Sequence, residues 1–149
     1  MRAVIQRVSS ASVSINRSVV SSIGKGLLIL VAFHRDDTAA DSDYIISKIT
    51  GLRIFEDDNH LMNLSVSDID GEILAVSQFT LYGDARKGKR PSFSTSMPPA
   101  DALKFYDDFI ARFKKNFHSL KCGVFGADME VSLVNSGPVT IILDSSKIL

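Results

Sequence analysis

Leu27-Leu28-Ile29-Leu30-Val31-Ala32-Phe33 is the longest apolar run in the chain. It holds seven apolar residues in a row, and Gly24 and Gly26 flank Lys25 just before it. It is far shorter than the ~20 residues that a membrane helix needs. Glycines before it and aliphatic residues throughout it predict a central strand buried on both faces. Such a strand needs neighbours on either side, and the rest of the chain offers them. Upstream, Ala3 to Val8 reads as a strand, and Ala11, Val13 and Ile15 alternate with Ser12 and Ser14, the period of two of a half-buried strand. Downstream, Asp70-Gly71 is a turn signal, and Glu72 to Leu81 reads as another strand. At the far end Met129 to Val134 alternates, and Val139 to Leu143 is β-branched and apolar. Asn135-Ser136-Gly137-Pro138 reads as the turn joining those two.

Two helices interrupt the strands. Asp36-Asp37-Thr38 supplies an N-cap and negative charge at a helix start, and Ile45, Ile46, Ile49 and Leu52 follow at helical spacing. Pro98-Pro99 suits the first turn of a second helix, in which Leu103, Tyr106, Ile110, Phe113 and Phe117 form a single apolar stripe. That stripe reads as core packing. Between the helices lie Ile54-Phe55, a polar turn from Glu56 to His60, and Met62-Asn63-Leu64. Strands and helices do not alternate strictly. The expected fold is therefore α+β, with a curved, mainly antiparallel sheet or partly closed β-barrel and two main helices. At 149 residues, without repeats, linkers or low-complexity stretches, one domain over 1–149 is expected.

Composition narrows the function classes. The chain is 45% hydrophobic and 23% charged, with a formal net charge of zero. That balance argues against a protein that coats nucleic acid through bulk electrostatics. A local basic patch remains: Arg86, Lys87, Lys89 and Arg90 fall within five residues, opposed nearby by Asp84. Met1 to Ser12 has two arginines and no long apolar run, so no signal peptide is expected there. With one cysteine, Cys122, no internal disulfide is possible, and a reducing, cytoplasmic setting without membrane attachment is the expectation. There is no His/Cys cluster at zinc-ligand spacing, no GxGxxG, no Walker A and no GxSxG. No metal and no cofactor are expected. His34, His60 and His118 have little around them to mark a general base, and a lone cysteine is more often a packing residue than a nucleophile.

Two segments carry more information. Ser77-Gln78-Phe79-Thr80-Leu81 places polar residues at the end of an apolar strand, which by itself could be a strand leaving the core. Asn135-Ser136-Gly137-Pro138-Val139-Thr140 by itself could be an ordinary turn. Together they resemble the D-aminoacyl-tRNA deacylase (D-tyrosyl-tRNA(Tyr) deacylase) family, which carries an SQFT(L) motif and an NxGPVT motif. The likeness extends to Met1–Val8, Gly26-Leu27-Leu28 with Asp36-Asp37, Arg53-Ile54-Phe55, Met62-Asn63-Leu64, Arg90-Pro91-Ser92-Phe93 and Ala127-Asp128-Met129. It covers nearly the whole chain, leaving a short C-terminal extension of about 144–149. Ala32 departs from a position where the family often has Gly, which touches strand packing.

The resemblance implies a barrel-like homodimer with its active site at the subunit interface and aminoacyl-tRNA as substrate. It implies hydrolysis of the ester linking a D-amino acid, or glycine, to the terminal adenosine. The implied site is built on Ser77, Gln78, Phe79 and Thr80, with backbone N–H groups near Phe79 and Thr80 as oxyanion donors. Thr80 is expected to position rather than attack, because no adjacent base is evident. The 2′-hydroxyl of the terminal ribose would assist water attack. Gly137-Pro138, with a cis peptide bond, is implied to enter the partner's site, where its backbone would reject L side chains. Phe79, Phe125 and Met129 are candidates for the adenosine pocket; core packing explains Phe125 and Met129 at least as well. Lys87, Lys89 and Arg90 are candidates for tRNA phosphates; a solvated loop is the alternative. Two other classes compete: a nucleic-acid-binding module without turnover, and a hydrolase of small esters or amides.

Overall fold

The computed structural model describes residues 1–148. The apolar run is the hub. Strand β1 (Arg2–Ile15) turns through Asn16 and Arg17, both at positive φ, into β2 (Ser18–Ile23), and β3 (Gly26–Ala32) follows. Strand β6 (Glu72–Ser77) and the short β7 (Leu120–Cys122) extend the sheet in the order β2-β1-β3-β6-β7, and β8 (Glu130–Asp144) pairs with β1. β1 pairs antiparallel with β2, β3 and β8, whereas β3·β6 and β6·β7 are parallel. A small antiparallel pair, β4 (Phe55–Glu56) and β5 (Met62–Leu64), lies apart.

β3 is buried on both faces, as its composition predicts, and the two faces feed different cores. Leu27, Ile29 and Val31 join the larger cluster with the helices; Leu28 joins Val8, Val13, Leu74 and Val76 inside the curl of the sheet. Gly26 is needed where β3 begins: a Cβ there would lie 1.9 Å from the Glu72 carbonyl oxygen. The outer strands β2 and β7 approach each other, so the sheet nearly closes as a barrel. Lys121 of β7 bridges the seam, donating to the Ser22 carbonyl at 2.7 Å and pairing with Glu72 at 2.7 Å.

Helix α1 (Ala39–Gly51) starts as its sequence predicts. The Asp41 carboxylate accepts from the Thr38 N–H at 2.8 Å and the Thr38 hydroxyl at 3.0 Å. Helix α2 (Pro99–Asn116) has proline at its first turn. Its buried face is Ala102, Tyr106, Phe109 and Phe113. Leu103, expected in the stripe, is 45% exposed, and Phe109 takes its place at 0%. Each fully buried phenylalanine contributes about 1.5–3 kcal/mol from burial. Among the described residues no helix is long and apolar enough to cross a membrane.

Two expectations are corrected. The strand from Glu72 stops at Ser77, and Phe79–Tyr82 form a 3-10 turn. The parallel partner β3 ends there: Ser77 is opposite Val31, and the Gln78 N–H makes the last ladder bond, to the Val31 carbonyl at 2.7 Å. Second, Asn135–Pro138 is not a turn between two strands but an interruption inside β8. Gln6 faces Thr140 and Val8 faces Asn135, so Arg7 alone stands opposite Ser136–Val139. β8 bulges there and resumes on the same neighbour. Asp144, placed by the sequence in a terminal extension, is the buried last residue of β8.

Candidate active site

The end of β6 delivers Ser77 and Gln78 to a cavity of about 620 Å³. Ser77, Gln78 and Phe79 line one side; Phe125 and Met129 line another; the start of α2 contributes Pro99 and Ala102. Five residues singled out in the sequence therefore share one cavity. Thr80, Gly137, Pro138, Lys87, Lys89 and Arg90 are not among its lining residues.

The 3-10 turn is the chemically informative element. Its carbonyls are occupied: Gln78 accepts from the Leu81 N–H at 3.2 Å and Thr80 from the Gly83 N–H at 2.9 Å. Phe79 accepts from the Ser96 hydroxyl at 3.1 Å, and Leu81 from Arg2 at 3.0 Å. At the other end, the N–H groups of Phe79 and Thr80 have no acceptor among the described residues, as the first donors of any helical turn do not. Phe79 is 58% exposed and meets Phe93 edge-on at 5.1 Å. The Thr80 hydroxyl oxygen accepts from the Gln78 side-chain amide and has no basic partner among the described residues.

Two titratable groups of neighbouring elements are held in their neutral forms, and Asp128 is the carboxylate that lines the cavity itself. Burial pushes the Cys122 thiol up, keeping it neutral. Burial, then the Asp37 carboxylate, push the Tyr82 phenol far up. None of the three histidines lines the cavity. A second, more polar cavity of about 720 Å³ lies against Tyr82, between His34, Asp37 and Asp144.

Gly137 and Pro138 are exposed on the β8 bulge, joined by a cis peptide bond. The motif around them has a physical logic. Asn135 spans the base of the bulge, accepting from the Val139 N–H at 3.1 Å and donating to the Thr140 hydroxyl at 3.1 Å. Gly137 has φ +121°, and a Cβ there would lie 2.5 Å from Arg7 Nη2. Arg7 is only 7% exposed; its Nη1 donates to the Ile54 carbonyl at 2.7 Å. Sequence reading missed Arg7 and Ser96. The signal for Arg7 was its place in the alternation of β1, on the same face as the buried Ala3 and Ile5.

In the loop between Gly83 and Met97, Arg86 grips Asp84 with two bonds, of 2.9 and 2.7 Å, and holds its carboxyl down at about 2. Lys87, Lys89 and Arg90 have no ion pair among the described residues.

The profile described as D-Tyr-tRNA(Tyr) deacylase matches residues 4–144. The chain belongs to this family. It is 50% identical to the D-aminoacyl-tRNA deacylase of Thermosipho melanesiensis and 53% identical to that of Clostridioides difficile, over 99% of each chain. A solved structure named c-Myc DNA Unwinding Element Binding Protein superimposes with a TM-score of 0.92 at 41% identity, covering 97% of this chain and 98% of that one. Another superimposes at TM-score 0.80 with 18% identity, a likeness of fold alone. Family membership thus agrees with the α+β, nearly closed barrel seen here.

Proposed function

We propose that the chain hydrolyses the ester bond of D-aminoacyl-tRNA, and of glycyl-tRNA, as a step of translation quality control in the cytoplasm. The observation that carries this is a largely apolar cavity lined by Ser77, Gln78, Phe79, Phe125 and Met129, next to a turn whose Phe79 and Thr80 N–H groups have no acceptor among the described residues. Water adds to the ester carbonyl carbon, and the developing oxyanion is met by the two N–H groups. The bond to the ribose oxygen then breaks, that oxygen takes up a proton, and free D-amino acid and tRNA leave. The ester is activated already, so no strong side-chain base is required. The ribose 2′-hydroxyl orients the water, and Thr80, held by Gln78, positions rather than attacks. Phe125 and Met129 hold the adenosine, and Lys87, Lys89 and Arg90 meet tRNA phosphates.

Within one protomer Gly137 and Pro138 lie outside the cavity. In this reading they serve a second protomer: the exposed bulge enters the partner's cavity, and its backbone carbonyls face the substrate amino group. A backbone obstacle rejects every L side chain alike. The family resemblance and the exposed Val134 and Ile142 on the same strand support such an interface.

A second reading is nucleic-acid binding without turnover, favoured by the name of the similar solved structure and by the basic loop. Deacylation of D-Tyr-tRNA beside L-Tyr-tRNA separates the two. Loss of the D ester alone is expected. Loss of both esters removes the filter, and loss of neither, with tRNA bound, favours the binding reading.

A further inference from the structure

We infer that Arg2 is a positioning residue for the reaction: it clamps, from the far end, the turn that offers the Phe79 and Thr80 N–H donors. The inference rests on the deacylase reading of that turn. A four-residue 3-10 turn has little stability of its own and takes its position from what holds it. Two side chains outside the turn hold its carbonyls: the Ser96 hydroxyl on Phe79, and the Arg2 guanidinium on Leu81, at 3.1 and 3.0 Å. Arg2 is the cationic one, and it sits at the carbonyl end of the turn, where the backbone dipole is negative.

Three contacts fix the guanidinium. Nη1 donates to Leu81, Nε donates to Asp144 Oδ2 at 3.1 Å, and the plane lies over the Tyr82 ring at 4.6 Å. Asp144 is 6% exposed and its carboxyl is a firm anchor. Both anchor residues belong to paired strands, with Arg2 opposite Ala32 on one side and Asp144 on the other. Arg2 therefore ties the donor turn to the rigid end of β8, the strand that also carries Gly137 and Pro138. A planar fork that bonds in two directions while stacking on a ring is a task for arginine, not lysine.

The test compares wild type with Arg2→Met, Arg2→Lys and Asp144→Asn, all checked for folding by thermal unfolding. Asp144→Asn weakens the anchor of Nε while leaving Arg2 in place, so its kcat should fall in the same direction as in Arg2→Met but less far. In Arg2→Met, kcat for D-Tyr-tRNA should fall on the order of tenfold to a hundredfold, because misplaced donors lose their grip on the oxyanion, while KM stays within about twofold. Arg2→Lys should fall between, and replaces Arg2→Met should that variant not fold. Amide chemical shifts of Phe79 and Thr80 should move in Arg2→Met and Arg2→Lys. An active wild type whose Arg2 variants keep kcat, lose only KM, or lose kcat with the two amides unmoved would overturn the clamp. An inactive wild type would sink the deacylase reading instead, and the clamp would then stand or fall on the amide shifts alone.

Discussion

Arg7 Nε donates to the carbonyl oxygen of Ser136 at 3.0 Å, one residue ahead of Gly137. The register explains the contact: Arg7 is the single β1 residue facing the β8 bulge, and its other bonds run to the Ile54 carbonyl and toward Glu56. The bulge is thus held from beneath by a buried cation. Replacing Arg7 with Met removes the charge and takes its donors from two carbonyls, of which the buried Ile54 contact costs about 1–3 kcal/mol. Arg7→Met should lower the thermal midpoint by several degrees. It should also reduce the ratio of D-Tyr-tRNA to L-Tyr-tRNA cleavage, because the backbone meant to discriminate is no longer held. Thermal unfolding and the two deacylation rates check this; an unchanged ratio in a folded variant would detach Arg7 from the filter.

A side chain at Gly137 is strained and crowds Arg7. The Cβ would meet Arg7 Nη2 at 2.5 Å and Val139 Cγ2 at 3.0 Å, at φ +121°, where L residues are strained. Gly137→Val should lose deacylation of D-Tyr-tRNA, with Gly137→Ala milder. Gly51→Ala is the control, since a Cβ there meets nothing within 4 Å. Single-turnover rates decide the matter, and a fully active Gly137→Val protein would end the role of this segment.

How much of this was legible in the sequence differs by element. The run Leu27–Phe33 announced a two-faced central strand because both faces really are apolar. Phe79–Tyr82 did not announce a turn: Phe-Thr-Leu-Tyr is good strand composition, and only the end of the β3 ladder forces the chain out of the sheet. Gly137-Pro138 reads locally as a turn, but β8 pairs with β1 on both sides of it, and Arg7 bonds the bulge across 129 residues of sequence. In α2 Tyr106, Phe113 and Phe117 of the expected stripe are buried, whereas Ala102 and Phe109 face inward in place of Leu103 and Ile110. Buried arginines are invisible to composition, since charged residues are rarely buried unless paired. The cavity residues Ser77, Gln78 and Phe79 were picked out by motif; that they share a cavity with Phe125 and Met129 is long-range geometry.

The barrel seam should respond to acid. The Glu72 carboxylate accepts from Lys121 at 2.7 Å and from the Gly24 N–H at 2.7 Å, and these bonds, the Lys121 one foremost, lower its pKa below 4.5. A folded-state pKa below the unfolded one adds stability that is fully present above the unfolded value and lost as pH falls through the folded one. Glu72→Gln should therefore be less stable than wild type at neutral pH. The difference should shrink below about pH 4.5 and vanish once the wild-type carboxylate is protonated. Thermal midpoints across that range test it, and a difference independent of pH would assign the loss to packing rather than charge.

The basic loop offers a contrast within five residues. Lys87, Lys89 and Arg90 are exposed without ion pairs among the described residues, whereas Arg86 is already committed to Asp84. Each phosphate contact releases counterions, worth roughly 0.9 of a unit in the slope of log affinity against log salt on duplex, and about 0.7 on single strands. If these three cations meet tRNA phosphates, neutralising all three should flatten the slope by about two to three units. Arg86→Gln should change the slope far less, because its charge is spent locally. Equilibrium binding of tRNA at several salt concentrations reads this directly. Equal effects from Arg86 and the other three would mean that net charge alone, rather than placed contacts, governs binding. No change from any of them would leave the loop as a solvated surface and move tRNA contact to another face.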